Sequence, residues 1–217
     1  RTDRTGLVQR HLEAAVDQIA PSIDPALLHR VAVHEAGHLL AALLSPLPTP
    51  VRAWMTARGG HVEPAPLPTI TPKLAEAKLR MCLAGRAAEA LVLGEVSNGA
   101  GLGPTSDLAQ ATKLALEMDL NWSFGGADLV WRDASQVDFD RLPIRTQQRL
   151  RATLQDAEVA VSSLLEENLH SLKRIAAELI CKRELTGRDL DELSKDLFPS
   201  QRSLGTTRLP ECPHNTS

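Results

Sequence analysis

The stretch VAVHEAGHLL, residues 31–40, carries the pattern from which the fold and the candidate site follow. Its two histidines, His34 and His38, are four residues apart, and on an α-helix this spacing puts both imidazoles on one face. That geometry suits two ligands of a tetrahedral zinc ion. Glu35 follows the first histidine, so its carboxylate points to the side of the pair and can accept a proton from an attacking water. The motif therefore predicts a zinc site with Glu35 as the catalytic base.

A histidine pair at this spacing can also occur in a helix that binds no metal. Two features favour the metal site. A glutamate stands at the second position, and the neighbouring residues are strongly apolar, so that an unpaired Glu35 buried among them would be costly. The small residues Ala36 and Gly37 would let another element pack closely against the helix.

Spacing alone does not name the third protein ligand that a catalytic zinc requires. The remaining histidines are scattered and carry no spacing signal: His11, His29, His61, His170 and His214. Among the carboxylates, the candidates are Glu89, Glu95 and Asp107, which lie in the helices and loop that follow the hairpin. Asp107 begins a capped helix after a glycine-rich loop, but the helix dipole favours a first-turn aspartate without any metal. The residues alone leave both interpretations of Asp107 open.

Periodicity and breakers predict a mainly α fold, a helical domain with one small β-hairpin directly after the motif helix. Asp24 and Pro25 start the motif helix, which ends before Pro46. Strands are expected over 51–56 and 61–63, with a turn at 58–60. Further helices are expected over 72–94, 107–119, 143–182 with a break at Asn168, and 187–197. A substrate is expected to pair with the first strand as a sheet edge.

Composition excludes some classes of protein. The chain has 217 residues and a net charge of −3, without the basic patch that a nucleic-acid surface needs. Its three cysteines form no CxxC pair, which favours a reducing compartment and a cytoplasmic location. No apolar run reaches the ~20 residues that span a bilayer.

Several stretches in order resemble the peptidase domain of the FtsH family, the membrane-anchored ATP-dependent zinc proteases. They are the HEAGH run at 34–38, LAGRAAEALVLGE at 83–95, Gly99-Ala100, SDLAQAT at 106–112 and the pattern around 164–193. The resemblance implies that His34, His38 and Asp107 bind Zn²⁺ and that Glu35 is the base. It also implies that Arg86 and Glu89 are helix-packing residues or support the ligands.

The chain departs from the family pattern in two respects. Residues 101–105 widen the gap between Gly99-Ala100 and Asp107, as an apparent insertion. The chain also has no GxxxxGK[ST] phosphate loop, so the family's ATPase module is not in it. We expect residues 1–22 to be a helix or linker that ends such a module, 23–198 to be the peptidase domain, and 199–217 to be a disordered tail.

The leading hypothesis is a zinc metalloendopeptidase domain that hydrolyses unfolded or membrane-extracted polypeptides delivered by an ATPase. The family implies a homo-hexamer, and a membrane anchor elsewhere in the protein would put the domain on the cytoplasmic face. The alternative hypothesis is a catalytically silent oligomerisation or adaptor module with the same fold. A zinc hydrolase that acts on other substrates is a third hypothesis, which rests on the general chemistry of the motif alone.

Overall fold

Helices dominate the part of the chain described by the computed structural model, which covers residues 24–56, 59–125 and 129–198. The predicted N-terminal helix or linker and the predicted disordered tail lie outside these residues. Within them are six α-helices and one three-stranded sheet, confirming the mainly α class. The bounds are α1 Pro25–Leu43, β1 Arg52–Thr56, β2 Gly59–Glu63, α2 Pro72–Leu93, α3 Asp107–Leu116, α4 Ile144–Glu167, α5 Leu169–Lys182, β3 Glu184–Thr186 and α6 Gly187–Leu197.

Local capping explains where the helices begin and end. The Asp24 side chain accepts a hydrogen bond from the second residue of α1 at 2.9 Å, and Thr71 and Ser106 cap α2 and α3 in the same way. Gly94 ends α2 in the left-handed region with φ 74°, as the sequence predicts. Thr186 starts α6 with a capping box.

The motif helix α1 lies at the centre of the core, between α2 and α5. Its side chains are buried from Ala32 to Leu43 apart from His34, and Leu39 and Leu40 are fully buried. A Cβ added to Gly37 would lie 2.5 Å from the carbonyl oxygen of Ala84 in α2. The predicted role is therefore confirmed for Gly37, because only a glycine allows the two helix backbones to approach this closely.

The sheet contains the predicted hairpin and a strand that the sequence did not indicate. β1 pairs antiparallel with β2 on one side and with β3 on the other, in the order β2-β1-β3. On the inner face Ala53 lies opposite Val62 in one neighbour and Leu185 in the other, and all three are buried. The expectation that β1 is an exposed edge is therefore wrong. Gly59 and Gly60, predicted as part of the turn, belong to β2.

The segment after α3 leaves regular helix earlier than predicted. The α-helix ends at Leu116 and continues as a π-helical turn over Glu117–Asn121. Asp119 accepts two hydrogen bonds from Arg149 of α4, at 2.6 and 2.8 Å, which tie this turn to the long helix. The predicted break at Asn168 is confirmed, and it separates α4 from α5. Among the described residues, no helix is long and apolar enough to cross a membrane.

Candidate metal centre

The two histidines of the motif present their outer ring nitrogens to one point. His34 and His38 lie one turn apart in the middle of α1, and their Nε2 atoms are 3.1 Å apart. His38 is buried and His34 is half-buried. The helix therefore brings together the two predicted ligands without help from the loops.

Asp107 reaches the same point from the first turn of α3. Its Oδ2 atom lies 3.0 Å from the Nε2 atom of His34 and 3.3 Å from that of His38. Ser106 caps the helix directly before it, so the position of the carboxylate is set by the helix start. The wide gap created by residues 101–105 therefore does not prevent Asp107 from reaching the histidines.

The inner ring nitrogens of both histidines already have hydrogen-bond partners. His34 Nδ1 lies 2.8 Å from Oε1 of Glu89, and His38 Nδ1 lies 2.7 Å from the carbonyl oxygen of Met81. A carbonyl only accepts, so His38 donates from Nδ1 and its Nε2 atom is left with a lone pair. This arrangement orients both rings with Nε2 available for a metal ion.

Glu89 supports His34 from α2 and is itself held by two other elements. It is almost fully buried, and it accepts bonds from Arg30 at 2.9 Å and from the Ser97 backbone at 2.8 Å. Burial raises the pKa of the Glu89 carboxyl, but the bonds to His34, Arg30 and Ser97 outweigh this effect and bring it to about 2. Glu89 is therefore an ionised partner of His34, on the side of the ring away from Asp107.

The other carboxylate and arginine singled out in the sequence lie outside the cluster. Glu95 forms an ion pair with Arg30, and Arg86 forms one with Glu158 of α4 at 3.2 Å. The supporting roles of Arg30 and Ser97 were missed by sequence analysis. Arg30 had one usable signal, since it stands four residues before His34 on the same helix face.

Glu35 is buried beside the histidines under the backbone of β2. A Cβ added to Gly60 would lie 2.5 Å from Cγ of Glu35, so this strand contacts the carboxylate side chain directly. Burial raises the pKa of the Glu35 carboxyl above its usual value, against the attraction of His38 and His34. The carboxylate is therefore poised to bind a proton more readily than an exposed glutamate.

Negative charge concentrates at this cluster. Burial lowers the pKa of His34, but its bonds to Asp107 and Glu89 outweigh burial and raise it to about 10. Burial also raises the pKa of Asp107, but its contacts with His34 and His38 hold that pKa well below the usual value. A cation between these groups would be stabilised by the same charges.

The donor set fits a zinc ion. Among the described residues, His34, His38 and Asp107 form the group of potential metal ligands whose atoms approach one another. Their donor atoms are 3.0, 3.1 and 3.3 Å apart. Tetrahedral zinc with bonds of about 2.0–2.1 Å keeps its ligands about 3.3 Å apart. Gly85 keeps the space beside the two histidines free because it has no side chain. A Cβ added there would lie 2.5 Å from both Nε2 atoms.

The cluster opens into a cleft of about 980 Å³. Its walls include β2 and the loop after it, the face of α1 that carries the histidines, and residues 97–99 and 105–107. Apolar residues contribute to its lining, among them Ala42, Leu47, Pro48, Pro50, Leu67 and Met81. A cleft of this size has room for several residues of an extended peptide.

Comparison with known proteins agrees with this arrangement. The profile of peptidase family M41 matches residues 22–193. The chain is 36% identical over 181 residues to ATP-dependent zinc metalloprotease FtsH 1 of Symbiobacterium thermophilum, covering 80% of this chain and 30% of that protein. It is 30% identical over 212 residues to FtsH 2 of the same organism, covering 88% and 35%.

A third relative, ATP-dependent zinc metalloprotease FtsH 1 of Sorangium cellulosum, is 32% identical over 190 residues, which cover 76% of this chain and 29% of that protein. The chain thus spans about a third of the length of these curated relatives. The matched residues contain α1, the sheet and the whole cluster around His34. The chain belongs to peptidase family M41 and corresponds to the peptidase domain of the FtsH family.

Proposed function

We propose that this chain is a zinc metalloendopeptidase domain that hydrolyses peptide bonds in unfolded polypeptides. The observation that carries the proposal is the convergence of His34 Nε2, His38 Nε2 and Asp107 Oδ2 within 3.0–3.3 Å of one another. These three residues would hold the zinc ion. When bound, zinc supplies Lewis-acid chemistry, activating water and polarising the carbonyl of the scissile peptide bond.

Glu35 would handle the protons of the reaction. Its carboxylate accepts a proton from the attacking water and returns it to the amine nitrogen that leaves. Its burial beneath Gly60 holds the side chain still and excludes bulk water from the carboxylate. Burial raises the pKa of the Glu35 carboxyl above its ordinary value, which favours uptake of the proton from the water.

Glu89 and the Met81 carbonyl would keep the ligand rings in place. Each holds the Nδ1 atom of one histidine, so the rings cannot rotate away from the metal. Arg30 and Ser97 keep Glu89 ionised and fixed. Partners of this kind commonly change metal affinity by about 10–100-fold when they are removed.

The polypeptide would lie extended in the cleft along β2. Because β1 is central in the sheet, β2 supplies the edge nearest to Glu35. Among the described residues β2 pairs with β1 alone, so its other edge can form backbone hydrogen bonds with a substrate strand. Such pairing uses the backbone groups of the substrate and depends little on its side chains. It therefore suits an enzyme that accepts many unfolded sequences.

The relatives are named ATP-dependent zinc metalloproteases, and the chain spans about a third of their length. We therefore propose that an ATPase module outside this chain unfolds substrates or extracts them from membranes, and that the domain works within a homo-hexamer. The same proposal locates the domain in the cytoplasm, or on the cytoplasmic face of a membrane where the whole protein carries an anchor. Residues 1–22 would link the two modules.

Metal content and casein cleavage test the function directly. The wild-type chain should bind one zinc and degrade casein, and a chelator should abolish cleavage until zinc is restored. Glu35→Gln should keep its zinc and lose cleavage, while the matched control Glu166→Gln, on the exposed side of α4, should cleave as the wild type does. A folded wild-type chain without zinc or cleavage would contradict the proposal and favour the silent adaptor.

A further inference from the structure

One loop of the cleft exposes a large apolar side chain beside the metal centre. Leu102 is 73% exposed, and it lines the same cleft as His34 and Asp107. It lies in the segment 101–105 that widens the gap before Asp107 relative to the FtsH pattern. Its side chain contributes little to the core of the domain, and its place in the wall of the cleft makes it available to contact a bound ligand.

The backbone of this loop is fixed by short-range hydrogen bonds. The amide of Leu102 donates to the carbonyl of Gly99, that of Gly103 to Gly101, and that of Ser106 to Gly103. Gly103 has φ +91°, which a residue with a side chain rarely adopts. The loop therefore presents Leu102 by a series of tight turns and does not depend on burying it.

A second exposed leucine lines the same cleft from another element. Leu27, in the first turn of α1, is 46% exposed and lies two helical turns before His34 on the same face. The two walls meet at Glu89, which accepts a hydrogen bond from Arg30 of α1 at 2.9 Å and another from the Ser97 amide before the loop at 2.8 Å. Because Arg30 is paired with acidic groups, this end of the cleft lacks a free charge from that residue.

We propose that Leu27 and Leu102 form an apolar subsite that selects a bulky aliphatic or aromatic side chain of the substrate. The subsite rests on the proposed peptidase function, and its Leu27 side lies two helical turns from His34, or about 10 Å along α1. An extended peptide covers that length in about three residues. The selected side chain is therefore the third residue from the cleaved bond, on one side of it.

Binding can be measured without cleavage in the Glu35→Gln protein loaded with zinc. The cleaved bond would first be mapped by mass spectrometry of casein digests. Two families of fluorescent peptides would then be compared by anisotropy, one with leucine and one with serine at each position up to four residues from that bond. We expect leucine at the third position on one side to tighten binding about fivefold to tenfold, as partial burial of one aliphatic side chain allows. In Leu102→Ser and in Leu27→Ser the preference should fall below about twofold.

Matched controls separate the subsite from changes in the fold or the metal. Leu129→Ser removes a leucine that is 97% exposed and does not line the cleft, and it should keep the full preference. Zinc content should be unchanged in both subsite variants. If Leu102→Ser loses zinc because Asp107 shifts, the test of the subsite rests on Leu27→Ser, because Leu27 lies on a different element.

The outcomes of the two assays are distinct. The subsite proposal would be overturned if the zinc-loaded Glu35→Gln protein bound the leucine and serine peptides equally. It would also be overturned if the leucine preference survived in both Leu27→Ser and Leu102→Ser. A wild-type chain that cleaves no casein would count against the peptidase function, whereas casein cleavage without a leucine preference in the Glu35→Gln protein would count against the subsite alone. Casein digests should also lose their leucine and phenylalanine preference at the third position when Leu102 is replaced by serine.

Discussion

Replacing Gly85 with alanine should remove the metal while leaving the domain folded. An added Cβ would lie 2.5 Å from the Nε2 atoms of both His34 and His38. Ordinary contact between such atoms needs about 3.5 Å, so the methyl group would intrude by about 1 Å on both donor atoms at once. The rings cannot retreat, because their Nδ1 atoms are bound to Glu89 and to the Met81 carbonyl.

Two effects on stability oppose each other in Gly85→Ala. Overpacking costs about 1–3 kcal/mol, whereas alanine in a helix interior is about 1 kcal/mol more favourable than glycine. We therefore expect the metal-free protein to lose no more than about 2 kcal/mol in its free energy of unfolding. Zinc affinity should fall at least about 100-fold, because metal sites tolerate ligand displacements of only about 0.5 Å.

Competition with a chromophoric chelator would measure zinc affinity, and urea unfolding of the metal-free protein would measure stability. Gly37→Ala is a useful comparison, because the nearest atoms to its added Cβ would be the Ala84 carbonyl oxygen at 2.5 Å and the Cβ of Ala88 at 2.6 Å. That variant should lose more stability than Gly85→Ala, since backbone cannot move aside. Zinc affinity of the wild-type value in Gly85→Ala would refute the proposed position of the metal.

Three further predictions follow from other contacts of the site and core. Glu89→Gln should lower zinc affinity about 10–100-fold in the same competition assay. The control Glu95→Gln changes an exposed carboxylate that also pairs with Arg30, and it should change zinc affinity less than about threefold. Gly60→Ala should keep its zinc but lower kcat at least about 100-fold in peptide assays, because the methyl group would meet Cγ of Glu35 at 2.5 Å and the Trp54 carbonyl oxygen at 2.6 Å, so that Glu35, β2 or both must shift. An unchanged kcat would argue against this strand contact. Leu40→Ala should reduce the free energy of unfolding by about 2–5 kcal/mol in urea titrations, because it leaves a cavity in the core. A loss under about 1 kcal/mol would show that the residues around α1 had repacked to fill that cavity.

Local chemistry explains why most helices could be predicted from the sequence. The start of α1 at Asp24 and Pro25, the end of α2 at Gly94 and the break at Asn168 each depend on residues within one turn of the boundary. The third strand could not be predicted in this way. β3 has three residues, and its side chains meet β1 across 132 positions, as between Arg52 and Glu184. Short strands of this kind exist only because a distant strand supplies their hydrogen bonds.

The same strand corrected the hypothesis about the substrate. The alternation of residues 51–56 indicated a half-buried strand, and that indication is right for Ala53 and Met55. It cannot tell how many neighbours a strand has, because the side-chain pattern is the same for edge and central strands. Because β3 pairs with the other side of β1, the edge strand next to Glu35 is β2.

The alignment of the two histidines on the motif helix could be predicted from local sequence alone. His34 and His38 share one face because the helical period puts residues four apart over one another, whatever the rest of the chain does. Tertiary structure decided which carboxylate joins them. Asp107, Glu89 and Glu95 were all candidates from the sequence, and only the packing of α2 and α3 against α1 separates their roles. Distances between elements far apart in the chain follow from such packing, for which local periodicity carries no information.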